Sequence, residues 1–127
     1  MNIEETSPQS ILVHVERFSL SKDLQLEAKE EFKELCMSSG AGVCAEVSCK
    51  IDRPSPNYFV KLGKLNEIKE LVKVSKCGLV IFNNDLSPSQ ERNLEKYLGT
   101  RVWDLTSLIL VIFAKRAKAM LESYKLN

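Results

Sequence analysis

The spacing of hydrophobic and polar positions changes several times along the first half of the chain. Residues 11 to 18 alternate loosely, which indicates a strand. From residue 22 to 39 the apolar side chains recur at steps of three and four, so this segment is predicted to be an amphipathic helix. Residues 43 to 51 alternate again with one wetter face, which places this second strand near a sheet edge.

The second half repeats this order of elements. Apolar side chains line one face of a predicted helix at 65 to 75, and the wholly apolar run 79 to 82 is typical of a buried strand. A third helix is predicted at 87 to 98 and a short strand at 101 to 103. Because strands and helices alternate, we predict an α/β fold: a three-layer, mostly parallel four-stranded sheet with flanking helices and a C-terminal helix.

The last segment is ambiguous by periodicity, because residues 108 to 113 are apolar on every side. Its length favours a helix that continues to about Tyr124 and is capped by Asp104 or Thr106. We therefore divide the chain into a flexible lead at 1–10, a sheet domain at 11–104 and a C-terminal helix at 105–127, the start of a truncated helical segment. One sheet cannot cover such a helix on all sides, so we predict a homodimer through residues 105–124, or exchange of this helix between two protomers.

Composition adds little to this pattern. The 127 residues suit one domain, and 44% hydrophobic with 28% charged residues is ordinary for a globular protein. No apolar run approaches the roughly 20 residues of a membrane span, and the first residues do not resemble a signal peptide, so a cytoplasmic location is expected.

The four cysteines are not arranged as a metal site. None forms a Cys-x-x-Cys pair, and the single histidine, His14, is remote from them in sequence. We predict no metal, a half-buried strand histidine, and four buried or half-buried thiols that stay reduced.

Residues 83 to 94 carry the most specific signal. They read Asn-Asn-Asp-Leu-Ser-Pro-Ser-Gln-Glu-Arg-Asn-Leu, in which Ser87 is a natural N-cap, Pro88 suits the first helical turn and Gln90 stands three residues after the cap. This run resembles the amino-terminal domain of the HflX family of ribosome-associated GTPases. The resemblance covers about residues 10 to 117 and continues in further short motifs: Asp52-Arg53-Pro54, Tyr58-Phe59-Val60, Gly63-Lys64, Leu108-Ile109-Leu110, Ile112-Phe113-Ala114 and Arg116-Ala117.

The chain has no GTPase motifs of its own. A P-loop needs two spaced glycines followed by Lys and Ser or Thr, and Gly63-Lys64 lacks both the first glycine and the hydroxyl. In the family the GTPase domain follows this segment. We therefore predict no catalytic residue and no cofactor here, with GTP and magnesium implied only for a GTPase domain absent from this chain.

Two interpretations of residues 60 to 64 stay open. Members of the family have a pattern similar to Gly-x-Gly-Lys at this point, whereas in this chain Lys61 replaces the first glycine. Lys61, Gly63 and Lys64 either bind a nucleotide or phosphate at a helix start or form a plain turn. Asn84 and Asp85 form a loop at a strand end, where open α/β sheets place ligands, although such loops favour these residues anyway.

The resemblance implies binding to the large ribosomal subunit and its rRNA. Basic side chains are concentrated after residue 34, where fourteen basic residues stand against nine acidic ones. Candidate ribosome or RNA contacts are Arg53, Arg92, Arg101, Lys115, Arg116 and Lys118, although each alone is an ordinary surface charge. The chain departs from the family at Leu105, which replaces an arginine, and at Val111, which replaces an aspartate.

The leading hypothesis is a non-catalytic domain that helps an HflX-type GTPase bind the large ribosomal subunit and modulates that GTPase. The alternatives are a small ATP-binding α/β domain with weak NTPase activity, and a degenerate stand-alone paralogue that acts through protein–protein interaction. A receiver-like signalling domain is disfavoured, since residues 16 to 18 supply no acidic cluster.

Overall fold

The structure is a computed structural model that describes residues 8–17 and 21–125, apart from the side chain of Arg17. Four strands alternate with four helices in the order β1 (Gln9–Arg17), α1 (Lys22–Ser38), β2 (Gly42–Ile51), α2 (Leu62–Ser75), β3 (Leu79–Phe82), α3 (Pro88–Leu98), β4 (Arg101–Trp103) and α4 (Leu105–Lys125). Residues 1–7 of the predicted lead lie outside the described residues, and β1 begins two residues earlier than expected.

The four strands form one parallel sheet in the order β2-β1-β3-β4, which confirms the predicted fold class. β2 is at an edge, as its alternating pattern predicted. Its register against β1 shifts between Ser10, which lies opposite Val43, and Ile11, which lies opposite Ala45. Cys44 is therefore an extra residue in a bulge at the start of β2.

Each face of the sheet has its own hydrophobic core. Successive side chains of β1 point to opposite faces, so Ile11 and Val13 join the core beneath α2 and α3, whereas Leu12 joins the core beneath α1 and α4. β3 is buried on both faces, which explains why its sequence is apolar throughout. The result is the predicted three-layer arrangement.

Side-chain caps set where three of the helices begin; for α1 the Ser21 hydroxyl accepts from the Leu24 N–H at 3.3 Å. The Ser87 hydroxyl accepts from the backbone N–H of Gln90 at 3.1 Å, and the side-chain oxygen of Gln90 accepts from the backbone N–H of Ser87 at 2.9 Å. This reciprocal capping box confirms the predicted start of α3. For α4 the structure selects Asp104 over Thr106, because Asp104 Oδ1 accepts from the Ser107 N–H at 2.9 Å.

The prediction of four reduced thiols is wrong for two of them. Cys44 and Cys77 form a disulfide across 33 positions of sequence, whereas Cys36 and Cys49 are buried free thiols. Parallel strands begin at the same sheet edge, so the bulge of β2 and the residues just before β3 come close there. Burial, helped by the Glu46 charge, raises the pKa of Cys36 to about 12, which makes this thiol a poor nucleophile.

His14 is more deeply buried than predicted, with 1% of its surface exposed. Its Nε2 donates to Glu46 Oε1 at 2.9 Å, and Lys33 Nζ lies 3.2 Å from the other carboxylate oxygen. The ring also meets Phe32 edge to face at 5.5 Å. The histidine therefore belongs to the packing between the sheet and α1.

Across the part of the chain that the structure describes, no helix combines the length and the apolar character needed to cross a bilayer.

Candidate functional site

The carboxyl edge of the sheet has a topological switch point between β1 and β3, the place where open α/β sheets bind ligands. Asn83 lies there, immediately after β3. Its Oδ1 accepts from the Val15 N–H at 3.0 Å and its Nδ2 donates to the Val15 carbonyl at 3.2 Å. Both ends of this amide are thus used to join β3 to β1.

The neighbouring predicted loop residues, Asn84 and Asp85, also hold the fold together. Asp85 Oδ1 accepts from the Thr106 hydroxyl at 2.6 Å and from the Thr106 N–H at 3.3 Å. Asn84 Nδ2 donates to the Asp85 carbonyl at 2.9 Å, while Asn84 Oδ1 is buried and has no hydrogen-bond partner among the residues that the structure describes. The loop fastens α4 to the sheet, and it offers no activated nucleophile to a ligand.

Lys61, Gly63 and Lys64 lie at the start of α2. Lys61 is the N-cap residue and supplies no side-chain cap, and the first turn contains no acidic residue. Lys64 Nζ pairs with Glu67 at 3.0 Å, so its charge is partly neutralised. A side chain at Gly63 would meet no atom within 4 Å, so packing does not require glycine there.

The proline-containing loop before α2 is fastened to α3. Ser55 and Phe59 exchange two backbone hydrogen bonds of 2.9 Å, and Phe59 has a left-handed φ of 66°. Gln90 Nε2 donates to the Ser55 carbonyl at 2.8 Å, and Asn93 Nδ2 donates to the Asn57 carbonyl at 3.0 Å. Sequence reasoning assigned Gln90 only a capping role and Asn93 none.

A groove of about 420 Å³ lies between this loop, α2 and α3, and we call it the tyrosine–lysine groove after its lining residues Tyr58, Lys69, Asn93, Lys96 and Tyr97. The two tyrosine rings meet edge to face at 5.5 Å, and Lys69 Nζ stands 4.5 Å from the centre of the Tyr97 ring. Sequence reasoning missed this group, because its members come from three separate elements and only Asn93, Lys96 and Tyr97 share a helical spacing.

The six predicted contact cations do not form one patch. Arg53 follows β2 at the carboxyl edge of the sheet, Arg101 begins β4 at the opposite edge, and Arg92 is on α3. All three are exposed, and none has an ion pair within residues 8–17 and 21–125. Only the remaining three cluster, on the exposed part of α4: Lys115, Arg116 and Lys118.

The outer face of α4 is apolar. Leu108 and Ile112 are buried against the sheet, which therefore covers part of the run that periodicity left ambiguous. Five other side chains are between 60 and 75% exposed: Leu110, Phe113, Met120, Leu121 and Tyr124. Their separations of three, four, seven and eleven residues put them on one stripe of the helix.

Comparison with known proteins places the chain in a family. Residues 26–114 match the family described as "GTP-binding GTPase N-terminal". The GTPase HflX of Escherichia coli is 40% identical over 114 residues, which are 90% of this chain and 26% of that protein. The GTPase HflX of Thermococcus kodakarensis is 46% identical over 90 residues, 71% of this chain and 20% of that protein. The chain thus spans about a quarter of the length of these relatives.

Solved structures agree in fold. A crystal structure of an SsGBP variant has a TM-score of 0.64 at 25% identity, over 92% of this chain and 38% of that one. A GTP-binding protein from Sulfolobus solfataricus in complex with GDP has a TM-score of 0.62 at 24% identity, over 84% of this chain and 30% of that one. With the match across residues 26–114, the chain belongs to the GTP-binding GTPase N-terminal family and is an HflX amino-terminal domain.

Proposed function

We propose that this chain is a non-catalytic domain that helps an HflX-type GTPase bind the large ribosomal subunit and its rRNA, and that modulates the GTPase. The observation that carries the proposal is the family match, which covers residues 26–114 with a domain that stands before a GTPase. A cytoplasmic location is part of the proposal, since ribosomes work there.

The cations of α4 support a role in binding a polyanion. Lys115, Arg116 and Lys118 are exposed within four consecutive positions, and Lys118 Nζ lies 4.0 Å from Glu122 Oε1. Side chains of this kind bind phosphates through charge, in a way that weakens as salt is added.

The same helix supports contact with a further protein domain. From Phe113 to Lys125 every residue of α4 is exposed, so this part of the helix has surface available to a partner. A helix with exposed apolar side chains and basic neighbours is suited to contact both protein and RNA.

The proposal is tested by sedimenting the chain with purified large ribosomal subunits through a sucrose cushion. We expect the parent chain to pellet with the subunits and the Lys115→Gln/Arg116→Gln/Lys118→Gln variant to pellet several-fold less. The matched control, Lys22→Gln/Lys73→Gln/Lys76→Gln, removes the same charge from exposed positions elsewhere and is expected to pellet like the parent. A parent chain that stays in the supernatant at low salt contradicts the proposal.

A further inference from the structure

The tyrosine–lysine groove has an unbalanced charge. Its lining residues carry two positive charges and no negative one. Among the described residues, Lys69 contacts the Tyr97 ring and no carboxylate, and Lys96 has no ion pair. Two ammonium groups without acidic partners beside one groove favour an anionic ligand.

The aromatic side of the groove is held in place before any ligand arrives. The Tyr97 hydroxyl donates to Asn66 Oδ1 at 2.6 Å, which fixes the far end of that ring. The edge-to-face contact with Tyr97 orients Tyr58, and the bond from Asn93 to the Asn57 carbonyl fixes the backbone next to it. A ring fixed in this way loses little conformational entropy when a ligand packs against it.

Several polar groups of the groove have unused hydrogen-bonding capacity. In the part of the chain that the structure describes, the Tyr58 hydroxyl and Asn93 Oδ1 have no partner, and both lysine ammonium groups lack a hydrogen-bond acceptor. The groove is thus lined by hydrogen-bond donors, an acceptor, two cations and an aromatic ring. Its volume of about 420 Å³ is within the range of small-ligand sites.

We propose that the tyrosine–lysine groove binds a nucleotide unit, with the phosphate between Lys69 and Lys96 and the base against the Tyr58 ring. A planar base needs the aromatic surface and its phosphate needs the cations, whereas a bare phosphate would use only the lysines. Single-stranded RNA and a free nucleotide share this chemistry. The inference rests on the proposed function for its expectation that RNA is the source.

The test measures fluorescence anisotropy of a labelled twelve-nucleotide oligouridylate, with unlabelled uridine monophosphate as competitor. Lys69→Gln/Lys96→Gln should weaken oligouridylate binding about tenfold and flatten the slope of log affinity against log salt by roughly 0.7, the value for one lost phosphate contact on a single strand. Tyr58→Leu should weaken binding about 5- to 100-fold, as removal of one stacking ring does. The control Lys50→Gln/Lys73→Gln removes equal charge from exposed positions outside the groove and should change binding less than threefold.

Competition by uridine monophosphate at micromolar concentration identifies a free nucleotide as a sufficient ligand, and its failure while oligouridylate binds identifies RNA; either supports the proposal. The proposal is overturned if the groove and control variants lose the same amount of oligouridylate affinity. It is also overturned if Tyr58→Leu binds fully while its circular dichroism is unchanged. Either result would mean that RNA is held by non-specific attraction to positive charge. If the parent pellets with ribosomal subunits but the groove variants bind oligouridylate normally, the groove inference fails and the proposed function survives. If the groove is confirmed but subunits do not retain the chain, the proposed function fails alone.

Discussion

The side chain of Asn83 bonds both backbone groups of Val15, so one amide continues the hydrogen-bond pattern between β3 and β1 past the end of β3. β3 has only four residues, and it is the strand through which the two halves of the sheet are joined. The side chain therefore lengthens the most central connection of the fold.

We expect Asn83→Ala to lower the free energy of unfolding by about 1–3 kcal/mol, because the Val15 N–H and carbonyl lose their partners in a part-buried position. Urea denaturation followed by circular dichroism measures this. Asn57→Ala, at an exposed loop position, is the control and should change stability by less than about 0.5 kcal/mol. Equal stabilities for the two variants would show that water replaces the amide.

The His14–Glu46 contact predicts how stability responds to acid. The hydrogen bond from His14 holds the pKa of Glu46 below its ordinary 4.5. Burial acts to raise this pKa, whereas the hydrogen bond and the charge of Lys33 lower it further. A lowered folded-state pKa contributes stability that is complete above the ordinary pKa and is lost as the pH falls through the folded one. Burial, with the charges of Asp104 and Glu95, raises the pKa of Glu91, which acts in the opposite direction.

Glu46→Gln should therefore be less stable than the parent at neutral pH, and this difference should shrink as the pH falls below 4.5. Thermal melts between pH 3 and 7 measure the effect, and Glu27→Gln at an exposed position of α1 is the control. A stability difference that is the same at every pH would show that charge is not its origin.

The Cys44–Cys77 disulfide predicts two free thiols in the unreduced, denatured chain, those of Cys36 and Cys49. Cys44→Ser/Cys77→Ser should lose about 2–4 kcal/mol of stability, since the unfolded chain is no longer constrained by the crosslink. A thiol assay in denaturant counts the groups, and urea denaturation with and without reductant measures the loss. Four thiols in protein purified without reductant would contradict the crosslink.

The apolar stripe of α4 supports the predicted homodimer. Phe113→Glu should shift the chain from dimer to monomer, because a carboxylate in a dry contact costs far more than it gains. Light scattering at micromolar concentration measures the mass. Ala119→Glu changes an exposed position outside the stripe and should leave the mass unchanged. A parent chain that is already monomeric at this concentration would refute the dimer.

Local rules were sufficient for the order of the elements and for the start of α3, whereas contacts between distant segments were not predictable. Ser87, Pro88 and Gln90 indicate a helix start because capping involves residues three apart. Cys44, which is joined to Cys77, lies at a register shift in β2, and this bulge has no signature in the alternating sequence. The tyrosine–lysine groove likewise depends on how α2 and α3 pack, which no single segment encodes.

The Gln90 side chain makes two hydrogen bonds, and together they favour glutamine over glutamate at this position. Glutamate and glutamine serve equally in a capping box, since either offers an oxygen to the Ser87 N–H. Only glutamine also carries an N–H group for the Ser55 carbonyl. A glutamate at position 90 would still cap the helix, but it would direct a negative charge at the Ser55 carbonyl oxygen and release the proline-containing loop. Replacing the side-chain nitrogen by oxygen would therefore change the position of the loop without changing the stability of the helix start.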